Sequence, residues 1–207
     1  MQPDSKSTTP KRPSTRAESK RQTREALLDA AVASIIEVGY NGTSLREVAS
    51  RAGLSHTGLL HHFPDKPSLL NAVLDDRLYG AANVFPLHST DGATFIRALI
   101  DIAQRDAKNP SNVALLSILG AEATRPSHPA HNYFKQWHAE VRRRLTHAFE
   151  DLREQGRYHS TVAPEIAAIH VASMRDGLHV QWLMTPTEID LVNTIRSQFG
   201  LYVTLES

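Results

Sequence analysis

The chain of 207 residues contains no cysteine. That absence excludes disulfide staples and thiolate chemistry, and it fits a reducing cytoplasm. No apolar run approaches the ~18 residues that a membrane span requires. The first residues are polar and do not read as a signal peptide. There is no phosphate-binding glycine loop and no H-E-x-x-H spacing; His128-x-x-His131 lies in a proline-rich turn with no carboxylate nearby in sequence. An enzyme needs a nucleophile, an acid–base pair or a cofactor site. None is legible, so neither a cofactor nor a metal is expected. Strand alternation, hairpin signals and internal repeats are missing too. What remains is an all-α protein away from the membrane, in the cytoplasm.

The net charge is only +1, which by itself argues neither for nor against a nucleic-acid partner. Its distribution says more. Residues 1–24 carry seven basic side chains (Lys6, Lys11, Arg12, Arg16, Lys20, Arg21 and Arg24) against Asp4 and Glu18, a net +5 that leaves −4 for the rest. Residues 1–18, with Pro3, Pro10 and Pro13, read as a disordered basic arm able to order on phosphates. Hydrophobic residues make up 41% of the chain, enough to fill a core.

Residues 43–63 read as two short helices separated by a tight turn. Ser44 is placed to cap a helix over 45–52, whose inner face is Leu45, Val48, Ala49 and Ala52. Gly53 falls where the chain must leave that helix with positive φ. Ser55 then opens a helix on which Leu59 and Phe63 point inward. At about 100° per residue, Thr57 and His61 lie on the opposite face, flanked by Gly58 and Leu60. A small, polar outer face of this kind suits a helix laid in the DNA major groove. His61 can reach a base edge or a phosphate, and His62 lies to the side. Lys66, at the start of the next helix, is placed to hold a phosphate.

The order and spacing of Gly39-Tyr40, Thr43-Ser44-Leu45, Val48-Ala49, Ala52-Gly53-Leu54-Ser55, Gly58-Leu59-Leu60-His61-His62-Phe63, Asp65-Lys66 and Leu69-Leu70 closely resemble the N-terminal domain of the tetracycline-repressor (TetR) family. The resemblance runs over residues 25–75. It implies a DNA-binding surface built from Ser44, Ser55, His56, Thr57, Gly58, Leu60, His61, His62 and Lys66. One position departs from the family, which usually has tyrosine where this chain has Leu60. Leucine cannot donate a hydrogen bond to the DNA backbone, but it could pack on a thymine methyl or a sugar.

The rest of the chain reads as helix after helix, about nine in all. The first is expected over 19–38, with Leu27, Leu28, Ala31, Ile35 and Val38 packing on the hairpin. The fourth is expected from Pro67 to about Ala82, followed by a loop over 83–92. Later helices fall near 93–109, 113–123, 130–155, 164–184 and 187–203. The eighth is apolar on two faces: Ile166, Ile169, Ser173, Gly177 and Val180 on one, Val171, Met174, Leu178 and Trp182 toward another. A helix apolar on both sides must bury both, which suggests a second subunit. Residues 176–183 also resemble the family's C-terminal half, where the last two helices form a four-helix dimer interface.

The resemblance implies a ligand pocket in this half, for which Phe134, Trp137, His138 and Met174 are the candidate lining. The expected organisation is therefore a basic arm (1–18), a three-helix helix-turn-helix domain (19–66) and a helical ligand-binding and dimerisation domain (67–207). The function implied is that of a homodimeric repressor, released from a palindromic DNA operator by a small-molecule effector. The alternatives are a small all-α enzyme, or a structural helical dimer, with an incidental helical hairpin.

Overall fold

The computed structural model describes residues 16–79 and 91–205. Nine α-helices are present among them: α1 (Arg16–Gly42), α2 (Leu45–Arg51), α3 (His56–Leu60), α4 (Lys66–Leu74), α5 (Gly92–Lys108), α6 (Pro110–Glu122), α7 (His131–Glu154), α8 (Pro164–Met184) and α9 (Leu191–Phe199). Among the described residues the one β pairing is a single antiparallel bridge between Tyr158 and Val203. The all-α expectation is met.

Each boundary has a local cause. Ser44 Oγ accepts from the amide of Glu47, Ser55 Oγ from that of Gly58, and Asp65 Oδ1 from that of Ser68, so α2, α3 and α4 each start on a side-chain cap. Gly53 and Gly156 close α2 and α7 with φ of 70°, a conformation that side chains with a Cβ resist. The regular part of α1 ends at Gly39, where φ 72° and ψ 173° break the helix. Beyond the break, Thr43 Oγ1 donates to the Gly39 carbonyl and accepts from the buried hydroxyl of Ser34.

Five expectations need correction. Arg16, Ala17 and Glu18 belong to α1 rather than to an unstructured arm; residues 1–15, with Lys6, Lys11 and Arg12, lie outside the described residues. Val38 is 53% exposed, because it lies over Gly42 beyond the hairpin contact. Regular α4 stops at Leu74 and passes into a π-helical turn, Asp75–Tyr79, anchored to α1 by an ion pair between Arg77 and Asp29. Most of the expected 83–92 loop lies outside the described residues, and Gly92 already belongs to α5. Finally, α9 is shorter than 187–203. Asp190 caps it at the amide of Asn193, and beyond Phe199 the chain turns to pair with the segment after α7, Thr204 N–H donating to the Arg157 carbonyl and His159 N–H to that of Tyr202.

The helices pack around two cores. The first joins α1, α2, α4, Leu59 and Phe63 to Leu115, Leu119 and Phe134. The second joins α5, α7, α8 and α9, with Phe149 and Phe199 fully buried in it. The helix α6 serves both: Val113 belongs to the second core, Leu115 and Leu119 to the first, and all three are wholly buried. Truncating either leucine to alanine would remove about 2–5 kcal/mol.

Where α5 begins it crosses α7 at backbone distance. A Cβ built on Gly92 would stand 2.4 Å from the Ala148 carbonyl oxygen, and backbone cannot swing aside as a flexible side chain can. Gly92→Ala is therefore expected to lower stability by about 1–3 kcal/mol, the range for forced overpacking. Urea titration reads this as a lower midpoint. An unchanged midpoint would show that the crossing has slack.

Candidate nucleic-acid interface and the adjoining cavity

The two short helices form the expected hairpin. Val48 and Ala49 of α2 and Leu59 of α3 are buried, and Phe63 joins them just past the end of α3. Arg51 fastens α2 to α1: its guanidinium makes a two-pronged contact with Glu37 at 2.6 and 2.8 Å and also reaches Glu47 at 2.6 Å. Outward from the hairpin point Ser44, Ser55, His56, Thr57, Leu60 and His61, all exposed. Gly58 is half-buried, and a Cβ there would meet the capping Ser55 hydroxyl at 3.3 Å. His62 is half-buried with its ring 6.4 Å from that of Phe63, so it covers the small core. The helix is shorter than its sequence suggests: α3 ends at Leu60, and His61 is its C-cap.

Lys66 sits at the first turn of α4 with its ammonium 4.4 Å above the ring of Tyr40, donating to the Asn41 carbonyl at 3.2 Å. Partial burial lowers its pKa, opposed by the nearby Glu122 carboxylate. Tyr40 is the centre of this cluster. Its amide donates to Glu122 Oε2 at 2.9 Å, and its ring meets that of His128 edge-on at 5.0 Å. The turn holding His128 and His131 thus does receive a carboxylate, from Glu122 at the end of α6, with Oε2 3.7 Å from His128 Nε2. Burial holds the His128 imidazole below its ordinary pKa. No group of three or more metal-binding side chains occurs among the described residues. No helix among them is long and apolar enough to cross a membrane.

One turn of α6 before Glu122, a cavity of about 210 Å³ opens between α6, α7 and α8. From α6 it is lined by Leu116, Ser117, Gly120 and Ala121. Phe134, Trp137 and His138 line it from α7, and Arg175, Asp176 and His179 from α8. Three of the four expected lining residues are therefore brought together. Met174 is not among them; it lies about 100° round the helix from Arg175 and packs against the second core. Sequence reasoning missed Arg175 and His179, which share the cavity face of α8 at i and i+4 spacing.

His179 is 3% exposed, and its Nε2 stands 3.7 Å from Oδ2 of Asp106 on α5. Neither atom has a hydrogen-bond partner among the described residues. Burial, with a smaller push from the Arg175 guanidinium, drives the His179 imidazole down to about 3. Burial likewise raises the Asp106 carboxyl, against the pull of Arg175 and Arg105. At neutral pH the imidazole in the cavity wall is uncharged.

A hairpin whose second helix is capped, free of acidic side chains and exposed on its outer face, joined to a helical body with a cavity between its helices, defines the helix-turn-helix class. Residues 27–73 match the family described as bacterial regulatory proteins, tetR family, and residues 93–197 match the BetI-type transcriptional repressor C-terminal family. The chain belongs to the TetR family of bacterial regulatory proteins and is a ligand-responsive DNA-binding transcriptional regulator. It is 28% identical over 192 residues to the HTH-type transcriptional regulator BetI of Cronobacter sakazakii, covering 85% of this chain and 88% of that protein. Over 51 residues it is 43% identical to the regulator RutR of Escherichia coli K12, a quarter of this chain (25%) and 24% of that protein. Among solved structures, the SmeT–triclosan complex superposes with TM-score 0.70 at 20% identity, over 88% of this chain and 92% of that one. NalD, the secondary repressor of the MexAB-OprM multidrug efflux pump in Pseudomonas aeruginosa, superposes with TM-score 0.66 at 24% identity, over 90% and 98% of the two chains. These last two likenesses are of fold.

The buried His179 gives stability a signed pH dependence. An unfolded chain binds a proton on this imidazole below about pH 6.5, whereas the folded chain excludes it until about 3. Stability from this group is therefore fully present above 6.5 and declines as pH falls through that window, by up to about 1.4 kcal/mol per pH unit. Asp106, raised on folding, contributes with the opposite sign in both parent and variant. Between pH 6.5 and 5 the urea-derived stability of the parent should fall more steeply than that of His179→Gln. Equal slopes would contradict the assignment.

Proposed function

We propose that this regulator is a repressor that binds a palindromic operator as a homodimer and leaves it when a small molecule occupies the cavity between α6, α7 and α8. The observation that carries this reading is the course of α6. Its residues Ser117, Gly120 and Ala121 line the cavity, and the next residue, Glu122, holds the amide of Tyr40 at the broken end of α1. A ligand that displaces α6 moves the carboxylate that steadies the DNA-reading hairpin. Two sites biasing one shared element is the physical requirement for coupling.

On the DNA side, Thr57, Gly58 and His61 enter the major groove, with Leu60 against thymine methyl or sugar and His56 and His62 at the margin. Ser44, Ser55 and Lys66 flank them as phosphate donors, Lys66 by exchanging the Asn41 carbonyl for a phosphate oxygen. In this division of labour residues 1–18 add phosphate contacts, 19–66 read DNA and 67–207 bind ligand and dimerise. An operator on the chromosome places this work in the cytoplasm.

The dimer rests on α8. Ile166, Ile169, Val180 and Met184 are 46, 45, 41 and 76% exposed along one face, with Ser173 and Gly177 also exposed between them. The opposite face, Val171, Leu178 and Trp182, is buried. The helix α9 turns Ile195 and Phe199 inward to its own core, so its share of the interface comes from its polar side and the exposed Leu201. A contiguous apolar face of this kind asks for a partner, and two-fold symmetry answers a palindrome. An enzyme or a purely structural dimer would leave the exposed hairpin without a role.

Mobility-shift titration with the DNA flanking its own gene tests the reading. The parent should bind that DNA far more tightly than random duplex at the same salt. His61→Ala should weaken cognate binding by about 1–3 kcal/mol and reduce discrimination. Equal affinity of the parent for both DNAs would defeat the proposal. A charge on the α8 face, Ile169→Lys, should shift sedimentation at micromolar concentration toward monomer and abolish cognate binding with it; an unaltered dimer would move the interface elsewhere.

A further inference from the structure

We propose that the cavity selects a small planar organic anion, its carboxylate gripped by Arg175 and its ring lying between Phe134 and Trp137. This inference deepens the reading of the cavity as the effector site and rests on it.

The charge of the ligand follows from Arg175. Its side chain is half-buried in the cavity wall and makes no hydrogen bond and no ion pair with any described residue. Its five N–H donors form a fixed fork that no described side chain or carbonyl accepts from and that only water in the cavity mouth satisfies. A ligand acceptor that replaces this water inside the cavity gains a charge-assisted hydrogen bond. A carboxylate supplies two coplanar oxygens that match the fork. The nearest buried acid, Asp106, exerts only a through-space pull; it lies beyond ion-pair distance and outside the lining. Its contact is with Nε2 of His179, 3.7 Å away, while the uncharged imidazole ring of His179 forms part of the cavity wall. The Ser117 hydroxyl adds a donor from α6.

The alternative of a cationic ligand meets two obstacles. Asp176 is the only carboxylate lining the cavity; its side chain is 55% exposed and faces His138 Nδ1 at 3.7 Å. A cation would also enter against the charge of Arg175. Size and shape follow from the remaining wall. Phe134 is buried and tilted against His138 at 6.2 Å between ring centroids, with Trp137 beside it. A volume of about 210 Å³ lies below the ~300 Å³ at which sites for drug-sized molecules begin. One ring bearing one carboxylate suits it.

Isothermal titration of the full chain with benzoate, benzamide and benzyltrimethylammonium tests the charge requirement, since the first two share one shape and differ in charge. Benzoate should bind at least ten-fold more tightly than benzamide, and the cation more weakly still. Arg175→Gln should erase the preference for benzoate over benzamide. Arg175→Lys, which keeps the charge but loses the fork, should retain part of it. Equal binding of benzoate and benzamide, stronger binding of the cation, no binding of benzoate at millimolar concentration, or a preference that survives in Arg175→Gln would each overturn the proposal. Mobility shifts separate the two levels of inference. Benzoate that binds through Arg175 yet leaves the protein on its operator supports the anion site and refutes the effector reading. A protein that binds its operator but not benzoate refutes the anion site alone.

Discussion

A single carboxylate, that of Glu122, closes the broken end of α1. The break itself is set by Gly39, whose positive φ ends the regular helix and leaves the Tyr40 amide without a helical acceptor. Glu122 Oε2 accepts from it at 2.9 Å. A Cβ at residue 39 would stand 2.4 Å from Glu122 Oε1, a side-chain end that can yield only by moving the carboxylate, so it is the backbone conformation that calls for glycine there. Around this bond gather the Tyr40 ring, the Lys66 ammonium above it and the His128 ring against its edge. Residues from α1, α4, α6 and the turn before α7 are thereby held at one point. That point joins the hairpin's neighbours α1 and α4 to α6, beside the Arg51–Glu37 clamp that holds α2 on α1.

The packing makes the joint stiff. With Leu115 and Leu119 in the first core and Val113 in the second, α6 cannot slide without disturbing both. Close-packed interiors shift between discrete arrangements rather than deforming smoothly. A helix committed to two cores, lining a cavity with one turn and holding the DNA-reading unit with the next, is suited to carry a state from one to the other. Arg175, without a hydrogen bond or ion pair among the described residues, and the uncharged His179 in the opposite wall are the features a ligand would complete.

Much of this architecture was legible in the sequence because its signals are local. Ser44 and Ser55 cap helices that their spacing announced, and Gly53 adopts positive φ where a helix had to stop. The two faces of α8 were read correctly from periodicity, one now buried and the other exposed. What escaped was long-range. Tyr40 and Glu122 are 82 residues apart, and no local pattern joins them. The seat of Lys66 over Tyr40 depends on the same joint. Met174 has the apolar character of a pocket residue but not its angle on α8, where the cavity face is Arg175 and His179. The stop of α3 at Leu60 was hidden because Leu59 and Phe63 keep helical spacing while the chain between them has left the helix.

The central claim, that cavity and DNA-reading hairpin communicate through the Glu122–Tyr40 bond, can be tested without knowing any effector. Coupling is reciprocal, so bound DNA must alter the cavity wall as surely as a ligand alters the hairpin. Amide hydrogen exchange of the full chain, with and without saturating cognate DNA, measures this directly. The account predicts that DNA changes exchange in α6 over residues 115–123 as well as in α2 and α3, and that Glu122→Ala confines the change to the hairpin. Exchange altered only in the hairpin of the parent protein, or an α6 response undiminished in Glu122→Ala, would contradict it.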